Sequence, residues 1–264
     1  MLDSMEATSL CRYALTGTSL QRVPTRTGRP LLLLDVDETL VYSRTTIARE
    51  TSTLRRRNST GNAGSGVCAF MPGRHCMEAT FKLVVGTKII TVHSQKRPFC
   101  DMFLRTMGRK FDIGLFTSSY GPYAEAIANW LDADRNIIQY VFHRDHCVWE
   151  KDRPVKDLEF IGCDLKTTIM IDNSPAGITK QPKNGLPCKS FYGDRHDTEL
   201  RKLTNLLIGV STTSGDVRQQ LAIVKHELCI LRQLRRTRAS TDVAAEALCL
   251  PHDPTVHELL DSWL

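Results

Sequence analysis

Asp35 and Asp37 stand two residues apart in Asp35-Val36-Asp37-Glu38-Thr39, directly after the apolar run Leu31-Leu32-Leu33-Leu34. Carboxylates so spaced at the end of a buried strand can project into one crevice, where they repel unless a divalent cation or a shared proton relieves them. Oxygen-only ligands suit Mg²⁺, which takes one or two carboxylates together with phosphate oxygens. Three other places carry matching groups. Thr117 and Ser118 follow Gly114-Leu115-Phe116, Lys156 lies in Pro154-Val155-Lys156-Asp157-Leu158, and Asp172-Asn173-Ser174-Pro175 follows Ile169-Met170-Ile171. A nucleophilic acid, a hydroxyl, a lysine and a second acid–amide pair are what phosphoryl transfer through an aspartyl-phosphate requires.

Singly, each has a plainer reading: an acidic turn, a strand-end hydroxyl, a solvated lysine at a helix start. His143, His146 and Cys147 cluster in His-Arg-Asp-His-Cys, but without partner ligands at zinc-like spacing, so a structural or surface role is expected of them.

The elements that must position these groups alternate. Residues 31–36 form a continuous apolar run, as in a strand covered on both faces. Ala79 to Val85 and Lys88 to His93 read as a hairpin, Pro98 to Gly108 as a helix, and Ile113 to Thr117 as a strand. Then follow a helix from Pro122 to Leu131, a strand from Ile138 to Phe142 and a short helix from Val155 to Ile161. A strand from Thr168 to Asp172 and a helix from Thr198 to Ile208 complete the series. Strands separated by helices imply a parallel sheet with ligands beyond its carboxyl ends. Val217, Leu221, Val224, Leu228 and Leu231 recur at helical spacing, which suits docking on the core or a partner-binding helix over 217–238.

The 264 residues are 41% hydrophobic, which excludes wholesale disorder. No apolar run approaches the ~18 residues of a membrane span. Nine cysteines, an odd number without a CxxC pair, argue against a disulfide scaffold and point to a reducing compartment. The net charge of +6 is local: 44–58 carry +4 and 217–238 carry +5, followed by −5 over 239–264. Solvated charge runs, not a nucleic-acid surface, account for it. The Arg- and Ser-containing first residues leave a mitochondrial presequence open beside a disordered arm. The Gly/Ser-rich stretch 48–67 reads as a flexible loop, with Ser59 after Arg57-Asn58 in a basophilic-kinase pattern.

In this order, the four pieces resemble the haloacid dehalogenase superfamily. The stretches around them, including Lys96-Arg97-Pro98, Thr117-Ser118-Ser119-Tyr120, Tyr123-Ala124 and Arg144-Asp145-His146-Cys147, resemble its phosphatases of the RNA polymerase II C-terminal domain. The resemblance covers about residues 30 to 220. It implies an α/β Rossmann-like domain over 30–215, with a central parallel sheet and a small β insertion between Leu131 and Val155. An arm over 1–29 and a helical extension over 216–264 flank it. It also implies an Mg²⁺-dependent phosphatase for phosphoserine or phosphothreonine in a protein or peptide. Asp35 would be the nucleophile, Asp37 the acid and base, and Thr117 and Lys156 the groups facing the phosphoryl oxygens. Thr39, Ser118 and Arg144 would serve substrate binding; Asp35, the carbonyl of Asp37, and Asn173 would hold the metal, supported by Asp172. Tyr120 departs from the aliphatic residue often found there, so the peptide preference is open. The location expected is nuclear or cytoplasmic, with a mitochondrial one open. The alternative is a non-catalytic binding module like the mitochondrial inner-membrane translocase subunit of the same fold.

Overall fold

The computed structural model describes residues 28–47, 77–85, 88–210 and 215–226. The 48–67 loop with Ser59, residues 1–27, and the 227–264 part of the extension lie outside them. At the centre is a five-stranded sheet of β1 (Leu31–Leu34), β5 (Asp112–Phe116), β6 (Ile138–Phe142), β9 (Thr168–Asp172) and β10 (Gly185–Pro187). Its order is β10-β9-β1-β5-β6, every pair parallel. The four leucines of β1 alternate between faces, as a pleated strand dictates. Leu32 and Leu34 join a core with α1 (Cys100–Met107), α2 (Gly121–Leu131) and α3 (Glu199–Ile208). Leu31 and Leu33 join a smaller one with Phe116, Tyr140, Phe142 and Met170. Each fully buried leucine contributes on the order of 2 kcal/mol. Gly114 lies where a Cβ would come 2.7 Å from Leu33 Cδ2 and 3.2 Å from Tyr140 Cβ, so its bareness lets three strands close up.

Register turns this packing into a site. Leu34 pairs with Leu115 on one side and Ile171 on the other. The next residues, Asp35, Phe116 and Asp172, therefore leave the sheet at one level, with Thr117 one residue beyond.

Two expectations are corrected. No helix runs from Val155 to Ile161: β7 (Val148–Glu150) and β8 (Arg153–Val155) form a two-stranded antiparallel sheet, and turns follow it. Asp157 takes the backbone N–H of Glu159 (3.0 Å) and Phe160 (3.2 Å) onto its own carboxylate. These are the bonds of a helix N-cap, and a single turn follows, with Ile161 N–H on the Asp157 carbonyl, before Gly162 at φ 78° ends it. Besides the small β insertion near 148–155, a larger one lies between β1 and α1: β2 (Val41–Ile47), β3 (Ala79–Val85) and β4 (Lys88–Lys96), in the order β2-β4-β3. The polar β2 escaped the apolar pattern. Residues 217–226 are helical, and Val217, Leu221 and Val224 are buried in the main core, so this part of the stripe has no free apolar face. Leu228 and Leu231 lie outside the described residues.

Arg97 ties the insertion, the β1 loop and α3 together. Its fully buried guanidinium donates two bonds of 2.8 Å to Asp197, just before α3, and one of 3.1 Å to the carbonyl of Thr39. Burial works against an ionised Asp197, but the guanidinium and the Glu199 N–H hold its carboxyl below the ordinary value. Because the folded-state pKa is the lower one, this contribution is complete above about pH 4 and is lost as pH falls through the depressed value. Asp197→Ala strands a buried guanidinium and should cost about 3–5 kcal/mol in urea unfolding at pH 7. The gap between the two proteins should narrow as the pH falls below about 4.

Candidate active site

The loop after β1 is wound tightly. The N–H groups of Thr39, Leu40 and Val41 all donate to the carbonyl of Val36, and that of Glu38 to the carbonyl of Val41. Glu38 sits at φ 61°, in the left-handed region that non-glycine residues seldom adopt and that clusters at functional sites. The Asp35 N–H donates to Ile171 on β9 (2.9 Å), and Phe191 N–H to Glu38 (2.7 Å), so the loop is bolted to both neighbours.

Asp35 and Asp37 thereby reach different surroundings. Lys156 Nζ lies 2.6 Å from Asp35 Oδ1 and 2.7 Å from Asp172 Oδ2, and all three side chains are nearly closed off from water. Burial alone would push the lysine down; Asp35 and Asp172 more than offset it and hold its pKa above the ordinary value. Thr39 donates to Asp35 Oδ2 at 2.8 Å. Asp37 instead accepts from Tyr123 at 2.5 Å on Oδ1 and from Ser119 at 2.8 Å on Oδ2, with Thr117 at 3.5 Å. Burial pushes its carboxyl above the ordinary carboxylate value, against the pull of the Tyr123 and Ser119 bonds. Burial, then Asp37 itself, push Tyr123 up, so the phenol stays protonated and donates. Asp35 thus faces an ammonium, whereas Asp37 faces only hydroxyls and is held where burial favours its protonated form.

Asn173 closes the far side. Its amide nitrogen donates to Glu38 (3.2 Å) and Ser190 (3.0 Å), and a carboxylate acceptor there fixes which end is nitrogen. The amide oxygen consequently faces Thr39, 3.3 Å from the hydroxyl that also serves Asp35. Asp172 is committed through both oxygens, to Lys156 and to the Ser174 N–H. Among the described residues no three His, Cys, Asp or Glu side chains converge as metal ligands. What does converge, around the Thr39 hydroxyl, is a carboxylate oxygen and an amide oxygen, hard donors of the kind that suit Mg²⁺.

Asp35, Asp37, Thr39, Thr117, Lys156, Asp172 and Asn173 bring their side chains to this cluster; Ser118 and Arg144 do not. Ser118 takes part through its backbone carbonyl, which accepts from Arg144 Nε at 2.8 Å. The Arg144 guanidinium lies 4.6 Å over the ring of half-exposed Tyr120. Tyr123, Ser119, Glu38 and Ser190 were given no role in the sequence. Tyr123 alone carried a signal, a hydroxyl in the first turn of the helix after the Thr117 strand. His143 and His146 cap the short turn Arg144–His146, a structural task.

A family model for the NLI interacting factor-like phosphatases matches residues 30–218. The chain belongs to that family. It is 35% identical over 185 residues to a probable C-terminal domain small phosphatase of Dictyostelium discoideum, covering 70% of this chain and 52% of that protein. To the CTD nuclear envelope phosphatase 1 of Xenopus tropicalis it is 30% identical over 199 residues, covering 75% and 74%. To the carboxy-terminal domain RNA polymerase II polypeptide A small phosphatase 2 of Mus musculus it is 33% identical over 205 residues, covering 76% and 65%. The chain thus spans about half the length of the first of these relatives. Among the described residues no helix is long and apolar enough to cross a membrane.

Lys156→Met leaves Asp35 and Asp172 facing each other in a dry site without their cation, and should destabilise the phosphatase by about 3–5 kcal/mol. A bound divalent ion relieves that repulsion, so Mg²⁺ should raise the melting temperature of this variant more than that of the parent. Thermal unfolding of both, with Mg²⁺ and with EDTA, checks it.

Proposed function

We propose that this chain is an Mg²⁺-dependent phosphoserine/phosphothreonine protein phosphatase that forms an aspartyl-phosphate on Asp35. The observation that carries the reading is the separation of Asp35, held against Lys156, from Asp37, held in a hydroxyl cage with a raised pKa. Asp35 attacks phosphorus, and the bond to the serine or threonine oxygen breaks. Asp37 gives that oxygen its proton. Asp37, now ionised, takes a proton from water, which attacks phosphorus and releases Asp35. Lys156 and Thr117 stand ready to balance the charge on the phosphoryl oxygens, already oriented before substrate arrives. Asp35, the backbone carbonyl of Asp37, and Asn173 would hold the Mg²⁺, whose charge lets a phosphate dianion approach an anionic carboxylate. Asp172 acts through Lys156.

The relatives' names point to the carboxy-terminal domain of RNA polymerase II as one substrate class, and the Arg144–Tyr120 pair beside the Thr117 turn suits a phosphopeptide flanked by planar or apolar residues. Such substrates go with a nuclear or cytoplasmic location. The complete set of reacting groups favours an enzyme over a binding module of the same fold.

Asp35→Asn should lower turnover of a phosphoserine peptide by several orders of magnitude and form no phosphoenzyme. With nitrophenyl phosphate, Asp37→Asn should show a burst followed by slow turnover, because a good leaving group needs little protonation while the hydrolytic step still lacks its base. Excess EDTA should abolish activity and Mg²⁺ restore it. Rapid-quench kinetics with and without EDTA tests all three. Near-normal turnover by a folded Asp35→Asn variant would refute the mechanism.

A further inference from the structure

Behind Asp37 three hydroxyls stand in a line that leads out of the catalytic loop into the β2–β4 insertion. Ser94 on β4 lies 2.7 Å from Ser43 on β2, Ser43 lies 2.8 Å from the Tyr123 hydroxyl, and Tyr123 lies 2.5 Å from Asp37 Oδ1. Each hydroxyl has one hydrogen to give, so the direction of the line can be read from its ends. At one end, an ionised Asp37 can only accept. At the other, Ser94 is wholly buried, and among the described residues its hydroxyl has no partner other than Ser43. With Ser94 donating to Ser43, Ser43 to Tyr123 and Tyr123 to Asp37, every hydrogen is used. Reversed, the line would leave the Ser94 hydrogen buried and unpaired, a cost the forward direction avoids.

The other carboxylate oxygen of Asp37 is different. Oδ2 faces Ser119 and Thr117, at the end of the strand that also supplies the phosphoryl-facing hydroxyl. The Ser119 hydroxyl makes no other hydrogen bond among the described residues, so it can turn from donor to acceptor when Oδ2 carries a hydrogen.

We propose that Ser94, Ser43 and Tyr123 form a one-way donor chain that occupies Asp37 Oδ1 and so assigns the catalytic hydrogen to Oδ2, beside the reacting phosphate. Tyr123, Ser43 and Ser94 are positioning residues: they act through Asp37 and do not touch the reacting atoms. As the bond from phosphorus to the substrate oxygen breaks and that oxygen takes the electron pair, the hydrogen on Oδ2 passes to it, and the Tyr123 bond to Oδ1 stabilises the carboxylate left behind. Without the chain, the hydrogen is shared between both oxygens and is misplaced for part of the time. The insertion thereby becomes part of the acid's support, although none of its described residues hydrogen-bonds the nucleophile. The inference rests on the proposed role of Asp37 as leaving-group acid.

The test uses the full chain with saturating Mg²⁺ and three substrates of increasing need for protonation: nitrophenyl phosphate, phenyl phosphate and a phosphoserine peptide. Tyr123→Phe should lower kcat/KM, which reports formation of the phosphoenzyme, roughly 10- to 100-fold on the phosphoserine peptide, but on nitrophenyl phosphate by less than about threefold, with phenyl phosphate between. Ser43→Ala and Ser94→Ala should produce the same ordering with smaller losses. In an Asp37→Asn background, Tyr123→Phe should change nothing further, since there is no acid left to position. Thermal unfolding of each variant confirms that it is folded, and the two serine variants keep the test open if the tyrosine one is not. Equal losses on all three substrates, or a full additional loss in the Asp37→Asn background, would overturn the proposal. If phosphoenzyme formation by Asp37→Asn, read as kcat/KM, shows no dependence on the leaving group, the acid assignment falls and the proposal with it.

Discussion

Two carboxylates and one ammonium, all nearly withdrawn from water, meet where three parallel strands and a hairpin end: Asp35, Asp172 and Lys156. Two acidic side chains share one ammonium in a place where an unbalanced charge is costly, and burial pushes the Asp172 carboxyl above its ordinary value. The surroundings answer that constraint in detail. The parallel register sets Asp35 and Asp172 at one level, the β7–β8 hairpin delivers Lys156 between them, and Thr39 gives Asp35 its remaining hydrogen bond. The Asp35 carboxylate, beside an amide oxygen aimed inward by the Glu38 and Ser190 bonds to its nitrogen, makes an oxygen seat that suits a hard cation. Gly177 shows how little slack remains: a Cβ there would fall 1.9 Å from Asp172 Oδ2.

The same constraint explains why two aspartates only two residues apart can do opposite work. A regular strand would send both to one face, competing for one cation. The sharp turn at Glu38, in a backbone conformation few side chains tolerate, breaks that equivalence. Asp35 stays with the lysine, and Asp37 swings toward hydroxyls that hydrogen-bond it without adding a full charge. The energy stored in that turn is offset by the bonds that surround it, above all the Arg97–Asp197 pair that grips the carbonyl of Thr39.

Much of this was legible in the amino-acid sequence because the reactive groups follow apolar runs. The Leu31–Leu34, Gly114–Phe116 and Ile169–Ile171 stretches announce buried strands, and ligand groups gather at the carboxyl ends of such strands. Lys156 was found for its type and neighbours but put on a helix that does not exist: Asp157 caps only one turn, and Gly162, in the left-handed region, ends it before a helix can extend. The strand β2 was hidden for another reason: its Tyr42-Ser43-Arg44-Thr45-Thr46 is polar on both faces, so it has no alternation to read. Ser43, Ser94 and Tyr123 belong to three elements far apart in the chain, and only the folded geometry lines up their hydroxyls. Glu38 passed as part of a motif, whereas its carboxylate fixes which end of Asn173 faces the site.

The central claim is that Asp35, and no other residue, carries the phosphoryl group. Quenching the Asp37→Asn variant during turnover of nitrophenyl phosphate, reducing the trapped acyl phosphate with borohydride and mapping the peptides by mass spectrometry locates that residue directly. Conversion of Asp35 to homoserine, absent when substrate is withheld, is the result the structure predicts. Homoserine at Asp172 or any other position, or a phosphoenzyme whose label survives on a serine, threonine or histidine, would contradict it.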